Sequence, residues 1–232
     1  MDIVTHDQWL AARLKLLAKE KDFTRLRDEV ARERRAMPWE RVEKEYRLEG
    51  EEGSRTLREL FCPRSQLVVY HFMYPPEWDA GCPHCSFWAD SFDPNVVHLA
   101  ANEVTLVAVS IAPIEKLEAY RRRMGWGFRW LSSAGTSFNR DFGVTLTEED
   151  VARGATYNYT STPARPTERE GMSVFYRSDD GRIFHTYSAY ARGIDLLNAA
   201  YNYLDTVPLG RREDGEDRHN QWWVRRHDEY PD

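Results

Sequence analysis

The order of apolar and polar positions divides the chain into one long helix and a region of mixed strands and helices. Residues 5–36 predict a single helix, which begins at a capping box of Thr5 and Gln8 and ends before Pro38. Apolar side chains recur along it at helical spacing: Leu10, Leu14, Leu17, Phe23, Leu26 and Val30. Its other faces are highly charged, so two interpretations stay open: a helix packed along the domain, or an arm for dimerisation.

After this helix the pattern alternates between strands and helices. Residues 67–73 are an almost continuous apolar run, typical of a central strand buried on both faces, and residues 104–109 predict a second one. The other predicted elements are a hairpin with its tip at 49–53, a helix over about 85–90 that resumes after Pro94, a helix over 114–124, a hairpin of 173–176 and 183–187, and a closing helix over 191–204. This order predicts an α/β domain.

Composition fits one sizeable core with extensions. The chain has 232 residues, of which 41% are hydrophobic, and we divide it into an arm (1–40), a domain (41–209) and a charged aromatic tail (210–232). A net charge of −6 argues against nucleic-acid binding. The sequence contains no apolar run of membrane-spanning length, and its start lacks the features of a signal peptide. We therefore expect no membrane association and a cytoplasmic location.

The main candidate for chemistry is the motif Cys82-Pro83-His84-Cys85, directly after the first central strand. Two thiols at this spacing can close a small disulfide ring. A helix start stabilises the first thiolate, because unpaired backbone N–H groups and the helix dipole favour negative charge there. Thiolate is the attacking species in disulfide exchange, so the motif indicates redox chemistry.

Longer motifs extend this picture over nearly the whole chain. They are Phe23–Glu29, Leu67–Met73, Gly81–Phe87, Arg123–Trp126, Tyr187–Gly193 and Trp223–Tyr230. With them the chain resembles a bacterial family of unknown function whose members are regarded as thioredoxin-like dithiol–disulfide oxidoreductases. The resemblance implies a thioredoxin-like fold, with a mixed central sheet flanked by helices, a long N-terminal helix and a C-terminal tail.

The resemblance also implies roles for the motif. Cys82 is expected to be the exposed nucleophile and Cys85 the resolving thiol, while His84 either lowers the pKa of Cys82 or is a solvent-facing spacer. The expected substrate is a disulfide-containing protein or a small thiol compound. An external dithiol supplies the electrons, and no organic cofactor is implied.

His71 is a further candidate, because thioredoxins carry a buried acid just before the strand phenylalanine behind the cysteines. His71 is interpreted either as the base for Cys85 or as a structural histidine. We expect Pro75, Trp78, Asp79 and Met172 to control substrate access, together with the polar segment 152–171 and the aromatic tail. Met172 lies where thioredoxins carry a cis-proline.

A peroxiredoxin-like thiol peroxidase is the next hypothesis. Pro75 keeps the peroxiredoxin spacing to Cys82, but Asp79 replaces a hydroxyl residue, and Met172 lies near the position of an expected arginine. The negative charge of Asp79 would oppose deprotonation of a peroxide. The scaffold therefore looks related to peroxiredoxins, while the pair that activates the peroxide looks absent.

A zinc site and a non-catalytic binding module also stay open. A zinc site needs two ligands besides Cys82 and Cys85, from Cys62, His71, His84 and His98. Without a second paired motif we expect no bound metal, and we expect Cys62 to be a buried, inert thiol. A binding module would instead use exposed aromatic side chains, for which the candidates are Tyr201, Tyr203, Trp222 and Trp223.

Overall fold

The apolar run at residues 67–73 forms the strand at the centre of the main sheet, because a strand buried on both faces needs apolar side chains on both. A computed structural model describes residues 2–160, 165, 167–214 and 221–231. The chain forms two compact units, Met1–Trp39 and Glu40–Asp232.

The first unit consists mainly of helix α1, His6–Ala36. Its N-cap is Thr5, which forms the predicted capping box with Gln8, and Met37 is its C-cap. The predicted long helix is therefore confirmed. Large apolar side chains of α1, including Trp9, Leu14 and Phe23, are exposed. Dimerisation through this helix stays a prediction.

The second unit is built on an eight-stranded mixed sheet with the strand order β1-β10-β9-β4-β5-β6-β2-β3. Strands β4, β5 and β6 run parallel, whereas β9 is antiparallel to β4 and β10 is antiparallel to β9. The strand bounds are β1 Glu40–Arg41, β2 Arg47–Gly50, β3 Gly53–Thr56, β4 Gln66–His71, β5 Val104–Ser110, β6 Arg129–Ser132, β9 Gly171–Arg177 and β10 Ile183–Tyr190. A separate pair is formed by β7 Thr145–Leu146 and β8 Thr167–Glu168.

Helices connect and flank these strands. Their bounds are α2 Leu57–Leu60, α3 Pro83–Ala89, α4 Phe92–Ala101, α5 Ile114–Arg123, α6 Phe138–Asp141, α7 Glu148–Ala152 and α8 Ala199–Leu204, with 3-10 helices at Ala191–Leu197 and His227–Glu229. The β4-α3-α4-β5 crossover and the β9–β10 hairpin confirm the predicted thioredoxin-like α/β fold.

Side chains of β4 alternate between the two faces of the sheet, as a strand period of two requires. Tyr70 and Phe72 belong to the apolar cluster that contains Cys82 and Cys85. Leu67 and Val69 belong to a second cluster, with Phe138 and Phe175. The cysteine pair therefore lies in the core on one side of the central strand.

Three regions differ from the sequence prediction. Strand β6 was not predicted, and the closing helix over 191–204 is a 3-10 helix followed at Asn198 by the short helix α8. The predicted loop over 152–171 contains β8, and residues 161–164 and 166 of it lie outside the described part of the chain. The described tail residues lie within the second unit.

Candidate active site at the cysteine pair

Backbone hydrogen bonds fix the loop between β4 and α3 on both sides of the cysteines. Cys82 donates its N–H to the carbonyl oxygen of Met73 at 3.2 Å, and the N–H of Met73 donates to the sulfur of Cys85 at 3.4 Å. Cys82 is the N-cap of α3, with Pro83 at the first helical position, where its missing N–H is not needed. Both cysteines are free thiols.

Cys82 is the more acidic thiol of the pair. A hydrogen bond from the Cys85 thiol holds the pKa of Cys82 well below its usual range, and His84 contributes a further hydrogen bond, while burial acts in the opposite direction. His84 in turn has a raised pKa, chiefly because of its hydrogen bond to Cys82. These shifts favour a Cys82 thiolate beside a protonated imidazole.

Cys85 has the opposite character. Burial raises the pKa of Cys85 well above its usual range, and the neighbouring Cys82 and the Glu170 carboxylate raise it further. Tyr70 lies beside it on β4, and burial, followed by the charge interaction with Cys85, raises the pKa of Tyr70 well above its usual value. The pair therefore consists of one acidic thiol and one thiol that holds its proton.

The expected exposure of Cys82 is wrong. Only 3% of its surface is accessible, and Cys85 is 1% accessible. The segment 221–231, here called the C-terminal strap, contacts Gly81 and His84, which lie on either side of Cys82 and Pro83. Its Arg226 binds the carbonyl oxygen of Gly81, and the backbone of Gln221 accepts a hydrogen bond from His84.

Several contacts hold the C-terminal strap against the domain. Arg123 of α5 pairs with Asp228 and Glu229 at 2.7 and 3.0 Å, and His227 contacts Asp90 at 2.6 Å. The ring of Trp223 packs edge-on against the ring of Phe87 in α3. The strap is thus held to α5 and to the end of α3 by ion pairs, and to the middle of α3 by an aromatic contact.

Gly81 leaves no space for a side chain at this point. A Cβ atom there would lie 2.8 Å from ring carbons of both Phe72 and Tyr120. The tight packing places the Gly81 carbonyl within reach of Arg226 and sets the position of the next residue, Cys82.

The structure does not bring His71 to the cysteines. Because neighbouring side chains of a strand point to opposite faces, Tyr70 faces Cys85 and His71 faces the second cluster. There the Nε2 atom of His71 lies 2.9 Å from the hydroxyl of Ser173, and its ring packs beside Phe138 and Phe142. Burial lowers the pKa of His71 to about 3. This geometry fits a structural role for His71 and does not fit a role as the base for Cys85.

The expected access residues have different positions. Trp78 and Asp79 are exposed on the loop after β4, whereas Pro75 is buried at its start. Met172 is a buried residue of β9 in register with Tyr70. Met172 therefore packs beneath the cysteine site and is not part of an access loop.

The remaining candidates lie away from the pair. Cys62 is exposed, so the expectation of a buried thiol is wrong, because the turn after α2 faces solvent. In the described part of the chain, no three His, Cys, Asp or Glu side chains are grouped to hold a metal ion. Of the aromatic candidates, Tyr201 is buried, while Tyr203 is exposed.

Sequence reasoning missed Glu170, which precedes β9. Together with Tyr70, His84 and Cys85 it lines a cavity of about 280 Å³. The sequence signal for Glu170 was weak, because this residue ends a polar segment that contains no motif. Its position next to β9 brings it to Cys85 only when β9 pairs with β4.

The profile of a family described as "Bacterial protein of unknown function (DUF899)" matches residues 1–230. No curated protein sequence matches the chain. No helix among the described residues combines the length and apolar character needed to cross a membrane.

Three solved structures are similar at low identity. A peroxiredoxin Q mutant from Xanthomonas campestris is 15% identical, with 68% of this chain and 90% of that chain covered and a TM-score of 0.45. Peroxidoxin BcpB from Mycobacterium tuberculosis is 16% identical, with coverages of 69% and 93% and a TM-score of 0.45. A Chlorobium tepidum protein described as a thiol:disulfide interchange protein, DsbE, is 12% identical, with coverages of 66% and 86% and a TM-score of 0.42. These likenesses assign no activity to this chain.

Proposed function

This chain belongs to the bacterial DUF899 family, and from that premise we propose that it is a thiol–disulfide oxidoreductase working through Cys82 and Cys85. The observation that carries the proposal is the juxtaposition of two free thiols at the start of α3, hydrogen-bonded to each other. His84 forms a hydrogen bond with Cys82, and the charge of Glu170 acts on Cys85. This asymmetry is what a nucleophilic and a resolving thiol require.

The proposed exchange has two steps. The Cys82 thiolate attacks one sulfur of a substrate disulfide, forms a mixed disulfide and releases the first substrate thiolate. Cys85 then loses its proton and attacks the Cys82 sulfur, which releases the second thiolate and leaves a Cys82–Cys85 disulfide. Two electrons pass from the cysteine pair to the substrate, and an external thiol reductant restores the reduced pair.

The proton of Cys85 needs an acceptor, and Glu170 is the group that fits. It lines the same cavity as Cys85, and its charge acts on Cys85, Tyr70 and His84. His71 lies on the other face of the sheet and cannot take this role. Glu170 therefore replaces His71 in the proposed relay.

Access to Cys82 is the second requirement. With the C-terminal strap in place Cys82 is buried, so a protein disulfide reaches it only after the strap has moved. The contacts that must break include partly exposed ion pairs, such as Arg123 with Asp228, and the packing of Trp223 on Phe87. Exposed ion pairs contribute about 1 kcal/mol or less each, so the ion pairs oppose opening only weakly.

The test is a redox titration of the cysteine pair. The full chain is equilibrated with defined ratios of oxidised and reduced glutathione, then quenched and alkylated, and mass spectrometry counts free thiols. We expect a reversible two-electron transition that Cys82→Ser and Cys85→Ser abolish. Cys62→Ser is the matched control, since Cys62 is exposed outside the site, and it keeps the transition. Failure of Cys82 and Cys85 to pair at any ratio contradicts the proposal.

A further inference from the structure

The cavity beside the cysteine pair is open to Cys85 and not to Cys82. Its volume is about 280 Å³, close to the lower end of small-molecule sites. Cys85 lines the cavity, together with Tyr70, Trp88, Arg169, Glu170 and Tyr201, whereas Cys82 is not a lining residue. Both cysteines are buried, but a small molecule in this cavity lies next to Cys85 and not next to Cys82.

Most charges around the cavity are already paired. Arg211 binds Asp195 at 2.9 Å and Asp205 at 2.6 Å. Glu213 accepts hydrogen bonds from Tyr201 at 3.0 Å and from Trp223 at 3.2 Å. These groups form the walls of the cavity and need no ligand.

Arg169 and Glu170 are different. Neither side chain has an ion-pair partner among the described residues, and the buried Nε atom of Arg169 has no hydrogen-bond acceptor there. The guanidinium lies 5.4 Å from the centroid of the Tyr157 ring, which holds it in place. An unpartnered buried donor is costly, so an acceptor from outside the chain would be favourable at this point. Within the described part of the chain, the cavity thus places a guanidinium and a carboxylate that form no ion pair next to Cys85.

We propose that this cavity binds a low-molecular-weight thiol of the amino-acid type, its carboxylate at Arg169 and its ammonium group at Glu170, and that this thiol reduces the Cys82–Cys85 disulfide by attacking the sulfur of Cys85. The inference rests on the proposed function and deepens it, because it names the class of reductant and the sulfur that it attacks. The reductant and the substrate then use different entrances. The reductant reaches Cys85 through the cavity, and the substrate reaches Cys82 under the C-terminal strap.

The chemistry of the pair favours this direction. A thiolate RS⁻ attacks Cys85, the RS–Cys85 bond forms, the Cys82–Cys85 bond breaks, and Cys82 leaves as a thiolate. Exchange is faster when the leaving thiol is the more acidic one, and Cys82 is that thiol. A second RS⁻ attacks the RS–Cys85 bond, releases the disulfide RSSR and leaves Cys85 to take up one proton. Two thiolates are oxidised, and the protein disulfide is reduced.

The first experiment compares thiols on the oxidised full chain. Tryptophan fluorescence in a stopped-flow instrument follows reduction by glutathione, cysteine and the neutral 2-mercaptoethanol, with each rate divided by thiolate concentration. We expect the two amino-acid thiols to react roughly tenfold faster than 2-mercaptoethanol, as a charge-assisted contact implies. In Arg169→Gln and Glu170→Gln we expect the ratio of each amino-acid thiol rate to the 2-mercaptoethanol rate to fall toward one. Arg182→Gln, at the β9–β10 turn, is the matched control and keeps the advantage.

The second experiment locates the mixed disulfide. Oxidised protein is mixed with glutathione, acid-quenched within one turnover and alkylated, and mass spectrometry maps the adduct. Glutathione on Cys85 with alkylated Cys82 supports the inference; glutathione on Cys82, or equal rates for all three thiols, overturns it. These results leave the proposed function intact. If the chain forms no Cys82–Cys85 disulfide in the glutathione titration, both the proposed function and this inference are contradicted. Because the titration comes first, that outcome is distinguished from a failure of the inference alone.

Discussion

Arg226 binds the carbonyl oxygen of Gly81 through both Nε, at 3.0 Å, and Nη2, at 2.7 Å. Gly81 directly precedes Cys82, so this contact holds the C-terminal strap next to the cysteine motif. Arg226 is itself held by Glu229 at 2.9 Å. The strap is therefore anchored beside Cys82 by two residues that lie 145 positions apart in sequence.

The first prediction concerns this contact. We expect Arg226→Gln to raise the alkylation rate of reduced Cys82 by a bulky maleimide roughly tenfold, because two charge-assisted hydrogen bonds that close the strap are lost. Peptide mapping after timed quenching measures the rate at Cys82. Arg122→Gln is the control, since Arg122 is exposed and belongs to no strap contact. An unchanged Cys82 rate in Arg226→Gln would show that the strap does not limit access.

The second prediction concerns His84. The alkylation rate of Cys82 in the native chain falls only when the pH drops through its depressed pKa, and in His84→Asn it falls at a higher pH because one stabilising hydrogen bond is lost. A less acidic Cys82 also makes the reduced form less stable, so the midpoint potential of the pair becomes more negative.

Two measurements test this together: the pH profile of alkylation and the glutathione titration. His98→Asn is the matched histidine control, because His98 is exposed on α4. Coincident pH profiles for His84→Asn and the native chain would make His84 a solvent-facing spacer.

The sequence was sufficient where the local pattern determines the structure. The apolar run ending in Phe72 predicted the central strand, and Thr5 with Gln8 predicted the start of α1. The cysteine motif predicted the candidate site because proline and the helix start act locally at Cys82.

The rest depended on contacts between distant parts of the chain. Arg226 contacts Gly81, the residue before Cys82, and the approach of Glu170 to Cys85 comes from the pairing of β9 with β4. Neither leaves a periodic signal in sequence. His71 was different: the alternation of side chains along β4 was sufficient to place Tyr70, and not His71, on the face of the cysteines.

The third prediction concerns the space at Gly81. Gly81→Ala places a methyl group 2.8 Å from ring carbons of Phe72 and Tyr120, and we expect the free energy of unfolding to fall by about 1–3 kcal/mol. Urea unfolding followed by circular dichroism measures the loss. Gly193→Ala is the matched control, because its new Cβ meets only the Cβ of Ala189, at 3.4 Å, and we expect a change within about 0.5 kcal/mol. Equal stabilities for the two variants would contradict the tight packing at Gly81.

The last prediction uses the buried position of His71. Burial holds the pKa of His71 at about 3 in the folded chain, while the unfolded chain keeps the ordinary value of 6.5. Between these values the unfolded chain binds a proton that the folded chain does not. Stability is therefore complete above pH 6.5 and falls with decreasing pH, by roughly 1.4 kcal/mol per pH unit inside the window.

Urea unfolding of the native chain and of His71→Gln at several pH values between about 4 and 7 isolates this contribution, because carboxylates titrate equally in both chains and cancel in the difference. We expect the native chain to lose stability more steeply than the variant as the pH falls from 6.5. Parallel curves would mean that His71 is charged in the folded protein, which its apolar surroundings of Phe138 and Phe142 oppose.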